Sequence, residues 1–303
     1  MGESITLKLS SRRRSTYLHY FDDNFISLKD LKERVKYKKE VAAIVWQRMS
    51  NGYRIISLEE DRFKEAINFI RKDFFVEEPI STAIDLLDDL MSVRTSIKMI
   101  QKKLSEMQSY CAVQEGENKI IGVIVASINF MGDHVRKETR IKENQGEAIF
   151  NIMSLRSCVF SKARPYEILQ IDKYFRIHLL LVHMNHRKKG IGTALIKCCI
   201  ERARTLLIPA CIAGFSSVIS QHMARKLGFN LLAEVMYKDF KVFNDEMQCF
   251  EYPFEDSTDQ NKSLACMALS IALPIDHSQR SASIISKKEN TNEKKNRKKS
   301  KRK

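Results

Sequence analysis

The chain has 303 residues, 44% hydrophobic and 29% charged, enough apolar content for one large domain or two small ones; collagen-like, coiled-coil and wholly disordered classes are excluded. The longest apolar stretch, near Ser263 to Ile275, is about 13 residues and too short to span a bilayer as a helix. Of the net charge of +15, residues 287–303 carry +8 and residues 1–50 carry +5; the body between is near neutral at +2, which argues against nucleic acid as its substrate.

Residues 1–50 open Ser/Arg-rich, with Arg12, Arg13 and Arg14, and a helix is expected from about Ser27 to Met49. Met1-Gly2 with Thr6 matches the myristoylation pattern, which is short enough to occur by chance. Tyr53 to Ile56 reads as a short strand, and Ser57 with Glu60 has capping-box spacing. Phe63, Ala66, Ile67, Ile70 and Phe74 then recur at helical spacing. Phe75-Val76-Glu77-Glu78-Pro79 reads as a loop, because proline stops the helix and favours an extended residue before it. Helical segments resume over 81–107.

Tyr110 to Gln114 and Lys119 to Phe130 read as a hairpin across Glu115-Gly116-Glu117-Asn118. Residues 131–146 are polar and loop-like, and a helix is expected over 147–161. Phe175 to His183 is strongly apolar and reads as a central strand. It leads through Arg187-Lys188-Lys189-Gly190-Ile191-Gly192 into a helix ending near Leu206. Ile208 to Phe215 reads as a strand, and Ser217 to Leu227 as a helix with Gly228 as its C-cap. Phe229 to Phe243 and Ser263 to Leu273 read as strands, the second stopped by Pro274. The basic, low-complexity tail beyond Asp276 is expected to be disordered.

The seven cysteines are scattered, without a C-x-x-C pair, so neither a disulfide framework nor a zinc spacing is present. No secretory signal pattern stands at Met1, and a reduced compartment is expected: cytoplasm, with the nucleus open through the basic tail.

The informative constellation is strand, R-x-x-G-x-G, helix. Gly190 and Gly192 let the backbone turn tightly and approach a ligand. The first-turn amides of the helix, at Ile191, Gly192 and Thr193, point outward at its positive end. Arg187, Lys188 and Lys189 add positive charge, and such a site suits a pyrophosphate. A tight turn without a ligand fits the two glycines as well. GxxxxGK[ST] is absent, and the dinucleotide pattern GxGxxG would need glycine where Leu195 stands.

Leu180-x-Val182 followed by Arg187-x-x-Gly190-x-Gly192 resembles the acyl-coenzyme A loop of the GCN5-related N-acetyltransferases (GNAT). Lys226-Leu227-Gly228-Phe229 resembles the helix end and strand start late in that fold. Phe74-Phe75-Val76-Glu77-Glu78-Pro79-Ile80 looks like the F-F-x-[DE]-E-P-L segment of insect arylalkylamine (dopamine and serotonin) N-acetyltransferases. Ser216 and Ser220 match that family's serine pair. The resemblance covers about residues 51–275 and implies an α/β (α+β) GNAT fold, with a mixed sheet of about six to seven strands flanked by helices and splayed at the acetyl-CoA strand. Three positions depart from the pattern: His183 stands for an acidic residue, Met184 for a proline and Ala224 for a tyrosine general acid.

The resemblance implies attack of a primary amine on the thioester of acetyl-CoA. Most of a free alkylamine is protonated at neutral pH, so a carboxylate must take its proton; Glu78 is the candidate and Glu77 the second. Backbone N–H groups of Leu181, Val182 and His183 would serve the thioester carbonyl oxygen. Ser220, with Ser216, would return a proton to the sulfur, although serines at a helix start also serve as N-caps. Phe74 and Phe75 line an aromatic amine pocket or belong to the core.

The expected organisation is a basic extension over 1–50, an acetyltransferase domain over 51–275 and a disordered tail over 276–303. The leading reading is an acetyl-CoA-dependent arylalkylamine N-acetyltransferase, monomeric and without metal. The alternatives are an acetyltransferase of another small amine or polyamine, or a scaffold whose basic tail binds nucleic acid or an acidic membrane.

Overall fold

The computed structural model describes residues 44–131, 145–244, 248–255, 257 and 260–272. Its strands are β1 (Val45–Arg48), β2 (Tyr53–Ser57), β3 (Tyr110–Gln114), β4 (Ile120–Phe130), β5 (Lys173–Val182), β6 (Ala210–Phe215), β7 (Asn230–Met236), β8 (Val242–Asn244), β9 (Cys249–Glu251) and β10 (Ser263–Ser270). Eight form one sheet in the order β1-β2-β3-β4-β5-β6-β10-β7, and β8 pairs with β9 alone. All neighbours are antiparallel except β5 and β6, which run parallel.

The helices are α1 (Phe63–Phe69), α2 (Phe75–Glu77), α3 (Pro79–Thr82), α4 (Leu90–Leu104), α5 (Glu147–Ala163), α6 (Pro165–Leu169), α7 (Ile191–Thr205) and α8 (Val218–Lys226). A π-helical turn, Ile70–Phe74, joins α1 to α2. Ile191, Leu195, Cys199 and Ala203 of α7 pack on Ile55, Ala112, Ile124 and Phe175 of the sheet. Gly122 permits this approach, since a Cβ there would lie 3.3 Å from Ala112, Ile191 and Leu195 side-chain atoms. On β6, Ala213 and Phe215 join the cluster under α7, while Gly214 faces Phe160 of α5. Alternation along a strand therefore puts α5 and α7 on opposite faces.

Asp89 ties two helices together. Its carboxylate accepts from the N–H groups of Met91 and Ser92 at the start of α4 and from that of Ala148 in α5. Ser92 Oγ in turn accepts from the N–H of Ile149.

Several expectations need correction. Most of the helix expected over 27–49 lies outside the described residues, and its end is the strand β1, which pairs with β2. The sheet thus starts ahead of residue 51. Ser57 and Glu60 form no capping box: Ser57 lies in β2, and its hydroxyl accepts from Trp46 Nε1 at 2.9 Å. A cross-strand partner has taken the group that a cap would use. The strand expected over 229–243 breaks at a 3-10 turn, Tyr237–Asp239, and the last part pairs in a separate hairpin. The sheet has eight strands where six to seven were expected. The myristoylation pattern, most of the 131–146 loop and the basic tail lie outside the described residues.

Candidate active site

Two register features shape the site. Val125 pairs with Leu179 and Ala126 with Ile177, leaving His178 as an extra residue in β5, a bulge. The pairing of β5 with β6 ends nearby, at Ile177 opposite Ala213. From there β5 continues along β4 to Val182, and a wedge opens between β5 and β6. This is the expected splay.

Backbone direction decides which groups face the wedge. The N–H of His183 donates to the Ile121 carbonyl at 2.9 Å. Bonding direction alternates along an antiparallel ladder, so Leu181 also faces β4 and Val182 faces the wedge. Of the three expected N–H donors, Val182 alone is so placed. Its carbonyl accepts from Arg187 Nε at 3.0 Å.

The loop after β5 is fastened to the β1–β2 turn. Asn51 Nδ2 donates to the Lys189 carbonyl at 3.0 Å, and Lys189 Nζ donates to the Tyr53 hydroxyl at 3.1 Å. Tyr53 also meets His186 Nδ1 at 3.1 Å. Burial, then Lys189 and His183, hold the His186 pKa below its usual value. His183 accepts from the N–H of Asn185 through Nδ1 and stacks on Phe69. Gly190 has φ +81°, the left-handed region that favours glycine, and opens α7 without a side-chain cap. The N-cap Gly190 thus offers no side chain to the first-turn N–H groups of Ile191, Gly192 and Thr193.

Arg187 is committed elsewhere: it forms an ion pair with Glu77, so two motifs 110 residues apart meet. Lys188 is exposed at the same loop. Phe75 is core, and Phe74 is half-buried against it.

Glu78 is extended, as a residue before proline should be, and caps α3. Only 6% exposed, it accepts through Oε2 from the N–H and the hydroxyl of Ser81, both at 2.7 Å. Its Oε1 is buried and has no hydrogen-bond partner. The Glu78 charge is felt at Arg156 of α5 and at Tyr237. Arg156 donates to the His178 carbonyl at the bulge, at 3.4 Å. Tyr237 donates to the Ser216 carbonyl, just past β6, at 2.6 Å. Burial, reinforced by Glu78 and offset in part by Arg156, holds the Tyr237 phenol far above its usual range.

Ser220 is the partner of the N-cap Ser217 in a reciprocal capping box: its N–H donates to Ser217 Oγ at 3.2 Å and its Oγ accepts from the Ser217 N–H at 3.3 Å, while its hydroxyl donates to the Ser217 carbonyl at 2.8 Å. The capping role expected as the alternative for Ser220 is therefore present. Arg156 and Tyr237 were not foreseen. Arg156 carries no motif signal, and Tyr237 lay inside an expected strand. Burial pushes Cys111, Cys198 and Cys266 up to about 12, which leaves them as thiols rather than nucleophiles. Among the described residues no group of three or more His, Cys, Asp or Glu could hold a metal, and no helix is long and apolar enough to cross a membrane.

Residues 63–229 match the acetyltransferase (GNAT) family, and the chain belongs to that family of N-acetyltransferases. Among solved structures, an insect protein described as arylalkylamine N-acetyltransferase 7 of the mosquito Aedes aegypti is similar, with TM-score 0.64 and 21% identity over 73% of this chain and 88% of that one. Arylalkylamine N-acetyltransferase 2 of Aedes aegypti gives 0.63 and 22%, over 73% of this chain and 100% of that one. The polyamine N-acetyltransferase of Drosophila melanogaster, which forms N-acetylagmatine, gives 0.58 and 16%, over 72% and 100%. At these identities the likeness is one of fold. No curated protein matches the chain in sequence.

Proposed function

We propose that the chain transfers the acetyl group of acetyl-CoA to the primary amine of a small arylalkylamine by direct attack. The observation that carries this reading is Glu78, a buried carboxylate with one unpartnered oxygen, next in the chain to Glu77, which is ion-paired with Arg187 of the loop before α7. The fold shared with the mosquito enzymes supports the amine class.

The site fits the coenzyme: α7 starts without a cap, beside a loop held open by Gly190. Ile191, Gly192 and Thr193 would hold the pyrophosphate through their N–H groups, with Lys188 adding charge. When bound, acetyl-CoA supplies an activated acetyl thioester. The N–H of Val182 would donate to the thioester carbonyl oxygen. Glu78 takes a proton from the ammonium group, directly or through one water, so that the amine nitrogen has a lone pair to attack with. Ser81 holds Oε2 and leaves Oε1 for that proton. The Ser220 hydroxyl is committed to its cap, which makes Ser216 the first hydroxyl to test as the proton source for the sulfur.

The test is the purified chain with acetyl-CoA and a panel of amines, read by release of free thiol. The panel holds tryptamine, tyramine, dopamine, agmatine and putrescine. Turnover highest with the aromatic amines is the expected result. Turnover confined to agmatine or putrescine moves the chain to the polyamine class, and no thiol release with any amine removes the direct-transfer reading.

A further inference from the structure

We propose that Tyr53 is a positioning residue of the coenzyme site: it stores the Lys189 ammonium group, gives it up to the pyrophosphate when coenzyme A binds, and lets His186 take up a proton in its place. This rests on the reading above for where the pyrophosphate lies, and adds that coenzyme binding is linked to a proton.

Tyr53 of β2 is only 5% exposed, and its hydroxyl is held between two side chains of the loop that precedes α7. Lys189 Nζ donates to it at 3.1 Å, and His186 Nδ1 lies 3.1 Å from it. An ammonium group brings hydrogens only, so the Tyr53 oxygen accepts from Lys189 and the Tyr53 hydrogen is left for His186 Nδ1. His186 is therefore a neutral acceptor, with its own hydrogen on Nε2. The loop backbone is fixed as well, since Asn51 Nδ2 holds the Lys189 carbonyl at 3.0 Å. Lys189 stands next to Gly190, the N-cap of α7. Its side chain alone has to move to meet an anion at the helix start.

The ammonium group is poorly answered where it rests. Among the described residues Lys189 has no carboxylate within ion-pair distance. A phenol oxygen is a neutral partner, whereas a bond to a phosphate oxygen is charged on both sides and about twice as strong. A pyrophosphate at the first turn of α7 therefore draws Nζ away from Tyr53.

His186 then changes its surroundings. While Lys189 rests on Tyr53, a proton on Nδ1 would bring a second cation to the same oxygen. Burial, then Lys189 and His183, hold the His186 pKa below its usual value, with Lys119 acting in the same sense and Glu117 against it. The other charges of the loop are Arg187, paired with Glu77, and the exposed Lys188. The His183 ring lies 5.7 Å away, and its Nδ1 accepts from the N–H of Asn185. When Lys189 leaves and phosphate charge arrives, repulsion gives way to attraction and the charged imidazole is favoured. Nδ1 then gains a proton and donates to the Tyr53 oxygen that Lys189 has vacated. A group whose pKa rises on binding takes up a proton, so affinity grows as pH falls.

The test is titration calorimetry of the full chain with dephospho-coenzyme A. This probe keeps the pyrophosphate and lacks the 3′-phosphate, a group that itself titrates at about pH 6. At pH 7 in PIPES and in imidazole, the heats should show uptake of a fraction of one proton, with binding less exothermic in imidazole. Affinity should rise by about three- to tenfold from pH 8 to pH 6, the scale of one imidazole gaining its charge on binding. His186→Gln should abolish the uptake and flatten the pH dependence. Tyr53→Phe keeps the packed ring and loses only the hydroxyl; it should bind at least as tightly as the wild type at pH 8 and take up less of a proton. His183→Gln should keep the uptake. Loss of uptake in His183→Gln with retention in His186→Gln would place the proton on the other imidazole and overturn the proposal. Full uptake in Tyr53→Phe would overturn it as well, by reducing Tyr53 to packing. So would wild-type binding without uptake, or no binding between pH 6 and pH 8. Thiol release with the amine panel judges the transfer reading separately: turnover without proton uptake removes this exchange and leaves that reading standing.

Discussion

Glu77 and Arg187 meet as an ion pair that joins the end of α2 to the loop before α7. The same guanidinium donates through Nε to the Val182 carbonyl. With side chains 47% and 33% exposed, the pair is worth about 0–1 kcal/mol to stability. Glu77→Gln should therefore shift the denaturant midpoint very little. It should tighten coenzyme A binding by about two- to fivefold, because the loop loses a negative charge and Arg187 is freed. Titration calorimetry at two salt concentrations checks this, and weaker binding would show that Glu77 holds Arg187 in place for the ligand.

Gly192→Asp separates binding from folding. A Cβ at Gly192 would lie 3.5 Å from Met223 Sδ and 3.8 Å from Leu180 Cδ2, ordinary contact distances, so the chain should fold. The new carboxylate sits in the first turn of α7, where it suits the helix dipole and repels a phosphate. Acetyl-CoA at about 100 times its Kd should stabilise the wild type by about 2.7 kcal/mol and the variant hardly at all. Thermal unfolding with and without ligand reads the difference. An equal gain in both would move the coenzyme away from this loop.

Much of this was legible because apolar patterning and glycine spacing are local. The run from Phe175 to His183, the glycines at 190 and 192, and the helix behind them stand where the sequence put them. What was hidden depends on partners far along the chain. No local pattern marks the bulge at His178, which appears only in the register of β5 against β4. Ser57 has the spacing of a cap, but Trp46 on the neighbouring strand takes its oxygen. The strand expected through Tyr237 breaks where the buried hydroxyl of Tyr237 finds the Ser216 carbonyl. Val182 could be told from Leu181 and His183 only once the bond from His183 to Ile121 fixed the direction.

Asp89 gives the fold an acid-sensitive joint. Burial pushes its pKa up, but hydrogen bonds from the Ser92 hydroxyl and from the N–H groups of Ser92, Ala148 and Met91 together hold it below the usual value. A carboxylate with a depressed pKa contributes stability above its unfolded value, about 3.9, and loses it as pH falls through the folded one. Asp89→Ala should cost about 1–2 kcal/mol at pH 7, the upper range for a lost cap, because α4 and α5 lose a partner together. Denaturant unfolding between pH 7 and 3 should show that penalty shrinking only below pH 4. A penalty constant down to pH 3 would assign it to packing.

Glu78→Gln tests the chemistry directly. The amide oxygen of glutamine can still accept from the N–H and hydroxyl of Ser81, so the cap of α3 should hold and the fold should survive. Basicity is what the substitution removes. The turnover number should fall by about 10² to 10⁴, the usual worth of a positioned base. Acetyl-CoA affinity should barely change, because the pyrophosphate donors lie on α7 and the carboxylate caps α3. In the wild type the rate should rise with pH along a limb that belongs to the enzymic base. In the variant that limb should vanish, leaving a slow rise that follows the free amine. A variant with near-normal turnover and an unchanged profile would take Glu78 out of the mechanism. The next test would then fall on Glu77, whose carboxylate already reaches the loop at Arg187.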